Sequence, residues 1–285
     1  MTLIIMTIQY LRSVSSAGIH KLSFSEWGDK ANPRVLVCSH GLTRNKHDFD
    51  TLATMLAEQY RVICYDFPGR GESGWLSNKN DYNYQQYSID ALMVIAYSGA
   101  AQVDWLGTSM GGLQGIILAA MPNSPIKRLI LNDVGPFISQ DALSFIASYV
   151  GKQEVFDDLQ QLEGYLRLTH AGMGQLSDQQ WQQITTHSHR ILDDGKVGLL
   201  YDPGISQAFK TSAAEDVNLW PLWQAIQQPT LLIRGENSAL LSEATADKMT
   251  VTGPCADLIN IPNTGHAPAL MNQTDISAIQ RWLNN

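Results

Sequence analysis

Apolar residues along this chain fall into short continuous runs separated by stretches with helical spacing. Two extended segments, around Gln9–Val14 and Ile19–Trp27, flank Ser15-Ser16-Ala17-Gly18 and predict an N-terminal hairpin. Strand-like runs follow at Arg34–Ser39, Arg61–Asp66, Gln102–Leu106, Ile126–Asp133, Thr230–Arg234 and Asp257–Ile261. A strand that is apolar on both faces belongs inside a covered sheet, so the β-branched Arg34–Ser39 run and Arg61–Asp66 predict buried strands. Helical spacing over Phe49–Gln59, Tyr87–Ser98, Gly112–Met121 and Asp275–Leu283 predicts the covering helices. Strands alternating with helices after an opening hairpin predict an α/β fold with a mostly parallel sheet.

The alternation breaks once, between Asp133 and Thr230. That interval is Gln-rich and helical in period, with apolar positions at Phe145, Ile146, Val150, Phe156, Leu159, Leu162 and Leu166. A segment with its own apolar face is a subdomain and not a linker. The expected organisation is a core of residues 1–136 and 222–285 with a helical cap at 137–221. No internal repeat or low-complexity tract interrupts it.

Composition narrows the function more than the fold. The 285 residues carry a formal charge of −8, with 44% apolar and 16% charged side chains. That balance suits a globular protein and argues against nucleic acid as a partner, because phosphate binding needs a basic footprint and no Lys/Arg cluster stands out. Cys38 and Cys64 lie in apolar runs and Cys255 stands apart, a pattern for neither metal nor redox chemistry. The opening Met1-Thr2-Leu3-Ile4-Ile5 is too short and uncharged for a signal peptide or membrane span. Met6 is an alternative start. A cytoplasmic protein without a membrane span is the expectation.

The candidate chemistry sits where a predicted strand meets a predicted helix, at Gly107-Thr108-Ser109-Met110-Gly111. A serine on so sharp a turn has a strained backbone, and its close neighbours must lack Cβ atoms. Oγ of Ser109 then stands clear of the turn, beside a helix N-terminus that favours developing negative charge. A Gly-rich turn with a capping serine is the plainer alternative. The loops after the other predicted strands hold His40-Gly41-Leu42, Asp133 and His266. In a parallel sheet these loops share the carboxyl edge, where such sheets place their sites.

With Ser39-His40-Gly41, Asp66-Phe67-Pro68-Gly69-Arg70-Gly71-Glu72-Ser73, the Gly107–Gly111 turn and Gly265-His266, nearly the whole chain resembles the α/β-hydrolase family. The subgroup it looks like is that of capped serine hydrolases, similar to esterases and meta-cleavage C–C hydrolases. The resemblance implies Ser109 as nucleophile, His266 as general base, and the backbone N–H groups of Leu42 and Met110 as an oxyanion hole. It also implies structural roles for His40, Asp66 and Arg70.

The acid departs from the family pattern. Many relatives place an aspartate after the seventh strand, but here that stretch reads Arg234-Gly235-Glu236-Asn237-Ser238-Ala239. Neither Ser238 nor Ala239 can hold an imidazolium by charge. Asp133, after the sixth strand, and Glu236 are the two candidates, and a site without an acid is the third option. Trp181, His170, His187 and His189 lie in the cap, where ordinary packing accounts for each as well as pocket lining does.

These readings converge on a serine hydrolase that cleaves a carboxylic ester or related acyl bond of a small to medium substrate, without cofactor or metal. A homodimer is an option that the sequence leaves open. Hydrolytic C–C cleavage of a diketone-type acid is the enzymatic rival and wants a basic residue, Arg190 or Arg167, for the substrate carboxylate. Cofactor-free oxygenation on the same fold is a third activity. A ligand sensor on this fold is the non-enzymatic rival, and fast turnover of simple esters distinguishes it from the lead.

Overall fold

The structure is a computed structural model that describes residues 6–207 and 215–285. The reading of Met1–Ile5 as a leaderless start lies outside the described residues, as does a short part of the cap interval. In chain order the main strands are β1 (Thr7–Ser15), β2 (Gly18–Trp27), β3 (Val35–Ser39), β4 (Arg61–Tyr65), β5 (Val103–Thr108) and β6 (Ile126–Asn132). The short strands β7 (Phe137–Ile138), β8 (Val155–Phe156), β9 (His189–Ile191), β10 (Val197–Leu199) and β11 (Val217–Asn218) follow, then β12 (Thr230–Gly235) and β13 (Asp257–Ile261). The helices are α1 (Asp50–Leu56), α2 (Tyr84–Ser98), α3 (Met110–Ala119), α4 (Gln140–Tyr149), α5 (Leu159–Thr169) and α6 (Asp178–Thr186), then α7 (Trp220–Ala225), α8 (Glu243–Val251) and α9 (Gln273–Leu283).

Eight strands form one sheet in the order β1-β2-β4-β3-β5-β6-β12-β13. The hairpin β1–β2 and the pair β2–β4 are antiparallel, and every other neighbour pair is parallel. Alternate residues of the central strands enter opposite cores. Val35, Val37, Trp105, Leu129 and Leu131 pack on one face, while Leu36, Cys38, Leu106, Ile130 and Ile233 pack on the other. Both faces are covered, which is why the strands read as unbroken apolar runs.

The element ends differ from the sequence reading for local reasons. α2 starts at Tyr84 because the side chain of Asn83 accepts from the Gln86 N–H, a cap that lies before the apolar period begins. The stretch expected as one helix from Phe49 splits into a 3₁₀ turn over Lys46–Phe49, capped by Asn45, and the short α1. α3 begins at Met110, directly after Ser109, and not at Gly112.

The insertion between β6 and β12 carries helices α4, α5 and α6, but it is not purely helical. β8, β10 and β9 form a small antiparallel sheet, and β11 pairs with β7. Of its expected apolar positions, Leu162 and Leu166 are fully buried, whereas Phe145 is 70% exposed and Leu159 also faces solvent.

A basic grouping that the sequence did not display appears at the amino ends of the strands. Lys30, Arg34, Arg61, Lys127 and Arg128 surround an open cleft of about 480 Å³. Its arginines are engaged: Arg61 with Glu26 and the Ser98 carbonyl, Arg128 with Asp104, and Arg34 with the Leu283 carbonyl.

Candidate active site

Strand geometry places the candidate residues together at the carboxyl edge. β3, β5 and β6 are followed directly by His40, Ser109 and Asp133, and the loop after β13 holds His266. Ser109 has φ 52°, ψ −114°, a region that side-chain-bearing residues rarely occupy. A Cβ on Gly107 would lie 2.1 Å from the Gly111 carbonyl oxygen, and one on Gly111 would lie 2.1 Å from that of Ser39. No side chain fits either place, so the turn exists only with glycine at both. The serine does not cap α3 through its side chain. Its Oγ turns instead to His266, which removes the capping alternative.

His266 bridges the two loops. Its Nε2 lies 2.9 Å from Ser109 Oγ, and its Nδ1 lies 2.7 Å from Asp133 Oδ2. An ionised carboxylate only accepts, so Nδ1 carries the proton and Nε2 is left to accept from the serine hydroxyl. Asp133 is fully buried, with φ 57°. Its Oδ1 accepts the Gly235 N–H at 2.8 Å, and its Oδ2 also accepts the Ser238 hydroxyl at 2.6 Å. Glu236 does not approach the histidine; it is exposed, and its carboxylate accepts the Asn263 N–H. Ala239 is exposed as well.

The two expected oxyanion donors belong to segments on either side of Ser109. An ideal Cβ on Gly41 would sit 3.8 Å from Ser109 Cβ, so the His40–Leu42 loop runs beside the nucleophile turn. Among the described residues, neither the Leu42 N–H nor the Met110 N–H donates to a protein acceptor. Arg70, fully buried, holds both residues: its Nε donates to the Leu42 carbonyl at 2.9 Å, and one terminal nitrogen lies 3.8 Å from the Met110 sulfur. This link between the Pro-Gly loop and both donors was not readable from spacing. His40 braces the same loop, with Nδ1–H on the Gly41 carbonyl and Nε2 accepting from Phe67 N–H. Burial pushes its imidazole down to about 3, so it stays neutral. Asp66 accepts from the Lys46 and Glu72 N–H groups and pairs with the buried Lys46 ammonium.

The cap meets the site through its backbone. The Gly265 N–H donates to the Gly172 carbonyl at 2.8 Å and the Ala269 N–H to that of Met173 at 3.1 Å. A Cβ on Gly172 would come within 2.7 Å of the His266 carbonyl oxygen. His170 lies close by; burial, with the charges of Arg44 and His266, pushes it down to about 3. Trp181 packs inside the cap. Arg167 pairs with Glu163 and Asp178, and Arg190 donates to the Leu199 carbonyl.

The sequence shows no metal-ligand spacing, but the fold brings the ligand atoms of His47, Asp50 and His187 within 4.8 Å of one another. The two rings stack at 3.8 Å and 13°. An ion shared by stacked rings would lie between their planes, whereas the nitrogen lone pairs point within them. The trio therefore reads as a contact between core and cap.

A comparison with known families finds the alpha/beta hydrolase fold over residues 34–272, from β3 through the loop after β13. The chain belongs to the α/β-hydrolase family. Among curated relatives, a 3-hydroxybutyrate-oligomer hydrolase of Cupriavidus necator is 40% identical over 94% of this chain and 94% of that enzyme. Among solved structures, a Rickettsia typhi protein assigned as a hydrolase superposes with TM-score 0.91 at 36% identity, covering 98% of this chain and 99% of that one. An α/β hydrolase from Novosphingobium aromaticivorans superposes at 0.86 with 35% identity, covering 98% of each chain.

Proposed function

We propose that this α/β hydrolase cleaves carboxylic esters through an acyl-serine, with Ser109 as nucleophile, His266 as general base and Asp133 as the acid. The observation that carries the reading is the single imidazole set 2.9 Å from Ser109 Oγ and 2.7 Å from the Asp133 carboxylate. Oγ attacks the ester carbonyl as its proton passes to Nε2, and the resulting oxyanion takes the Leu42 and Met110 N–H groups. Collapse breaks the bond to the leaving alkoxide, which recovers the proton from Nε2. Water repeats the sequence on the acyl-serine and releases the acid. The buried Asp133 keeps the proton on Nδ1 and balances the transient imidazolium.

The likeness to the Cupriavidus enzyme supports short oligomers of 3-hydroxybutyrate as the substrate class, the leaving alkoxide then being the hydroxyl of the next unit. Cleavage of a C–C bond is less well supported. The two arginines that would hold its substrate carboxylate are committed, Arg167 to two acids and Arg190 to a carbonyl.

Hydrolysis of p-nitrophenyl esters and of the 3-hydroxybutyrate dimer and trimer tests the proposal. Ser109→Ala is expected to lower kcat by about 10⁴-fold or more, and Asp133→Asn by about 10³- to 10⁴-fold. Glu236→Gln is expected to stay within about twofold, because the carboxylate is exposed and, among the described residues, accepts the Asn263 N–H and not the imidazole of His266. Equal rates for wild type and Ser109→Ala on every ester would sink the reading.

A further inference from the structure

Ser238 stands outside the three proposed catalytic side chains, yet its hydroxyl proton goes to the carboxylate oxygen that holds His266. Oγ donates to Asp133 Oδ2 at 2.6 Å, and His266 Nδ1 donates to that same oxygen at 2.7 Å. The lone pairs of Oγ accept the N–H groups of Leu241 at 3.0 Å and Leu240 at 3.3 Å. Those two bonds fix the hydroxyl, so its proton has one place to point. Gly235, three residues earlier on the same turn, donates its N–H to Oδ1 at 2.8 Å.

Among the described residues, the end of β12 and the turn after it therefore supply every donor on the Asp133 carboxylate other than the imidazole, one to each oxygen. A carboxylate can rotate about its Cβ–Cγ bond at little cost, and donors on both oxygens fix its plane. The parallel pairing of β12 with β6 brings the turn within reach, since Ile233 lies opposite Asn132.

We propose that Ser238 is a positioning residue of the triad, setting the plane of the Asp133 carboxylate and sharing its Oδ2 with His266. This rests on Asp133 being the acid of the Ser109–His266 pair.

The test uses steady-state ester hydrolysis across pH. Ser238→Ala is expected to lower kcat about tenfold with KM held within about twofold. The acidic limb of its kcat/KM profile moves to higher pH by about half a unit, because a carboxylate relieved of a competing donor holds the imidazolium more tightly. Ser238→Thr, which keeps the hydroxyl, restores the limb. An unmoved limb in Ser238→Ala overturns the positioning role, and so does a loss that falls on KM. Full activity in Asp133→Ser would instead overturn the triad beneath it.

Discussion

At the scale of single residues, the site depends on two backbone positions of positive φ that are not glycine, Ser109 at 52° and Asp133 at 57°. Each costs about 1–3 kcal/mol and persists only because its surroundings hold it. The Ser109 N–H donates to the Asn132 carbonyl, and the Asp133 N–H to that of Ile233. The neighbouring strand thus fixes each turn. The space around Ser109 leaves no slack: Gly111→Ala would press a methyl against the Ser39 carbonyl. That variant should lose at least about 3 kcal/mol of stability in urea unfolding and most of its esterase activity. A stable, active Gly111→Ala would mean that the turn relaxes more easily than the contacts allow. Gly107, Ser109 and Gly111 were legible in the sequence because their reason for being there is local, within five residues. Ser238 was not legible. Its partner is more than a hundred positions away, and a serine in a polar turn carries no mark of the carboxylate above it.

Among the elements, the buried strands were the clearest part of the sequence, since a strand covered on both faces leaves an unbroken apolar run. Helix starts were less clear, because Asn83 and Ser109 lie just outside the apolar period that signals α2 and α3. The cap was legible as an insertion but not in its make-up, because strands as short as β8, β9 and β10 leave too few residues for a period to show. Its docking was also hidden. Gly172 lies in the cap and stands against the backbone of His266 in the core, with no room for a side chain between them. Gly172→Ala would push these two backbones apart by a methyl. The expected result is kcat lowered about tenfold or more with thermal unfolding shifted by only a few degrees, since the loop is peripheral to both cores. A large drop in melting temperature with kcat preserved would place the strain elsewhere.

On the scale of the whole molecule, a formal charge of −8 gave no hint of the basic cleft at the far end of the sheet, which gathers residues from separate strands and loops. Net charge does not map a surface. Stability should carry a pH signature from the buried His40. Its imidazole is held at about 3 in the folded protein, against an ordinary value of 6.5. Between those values the unfolded chain binds a proton that the folded chain refuses, so stability falls as pH falls. The slope from this one group is about 1.4 kcal/mol per pH unit below 6.5. His40→Gln should lower stability at pH 7 yet flatten the pH 6 to pH 4.5 slope of unfolding free energy by about that amount. An unchanged slope would assign the acid sensitivity to other groups.

The placement of Asp133 has a meaning in the order of synthesis. A ribosome makes Leu42, Ser109 and Asp133 before any of the cap, whereas Gly235, Ser238 and His266 come after it. Until β12 slides in beside β6, the carboxylate has none of the three donors that satisfy it in the finished fold. A nascent chain paused within the cap would therefore hold a hydrated acid and a serine without its base. On the proposed triad, hydrolytic competence waits for the final strands, which follow the cap in the order of synthesis.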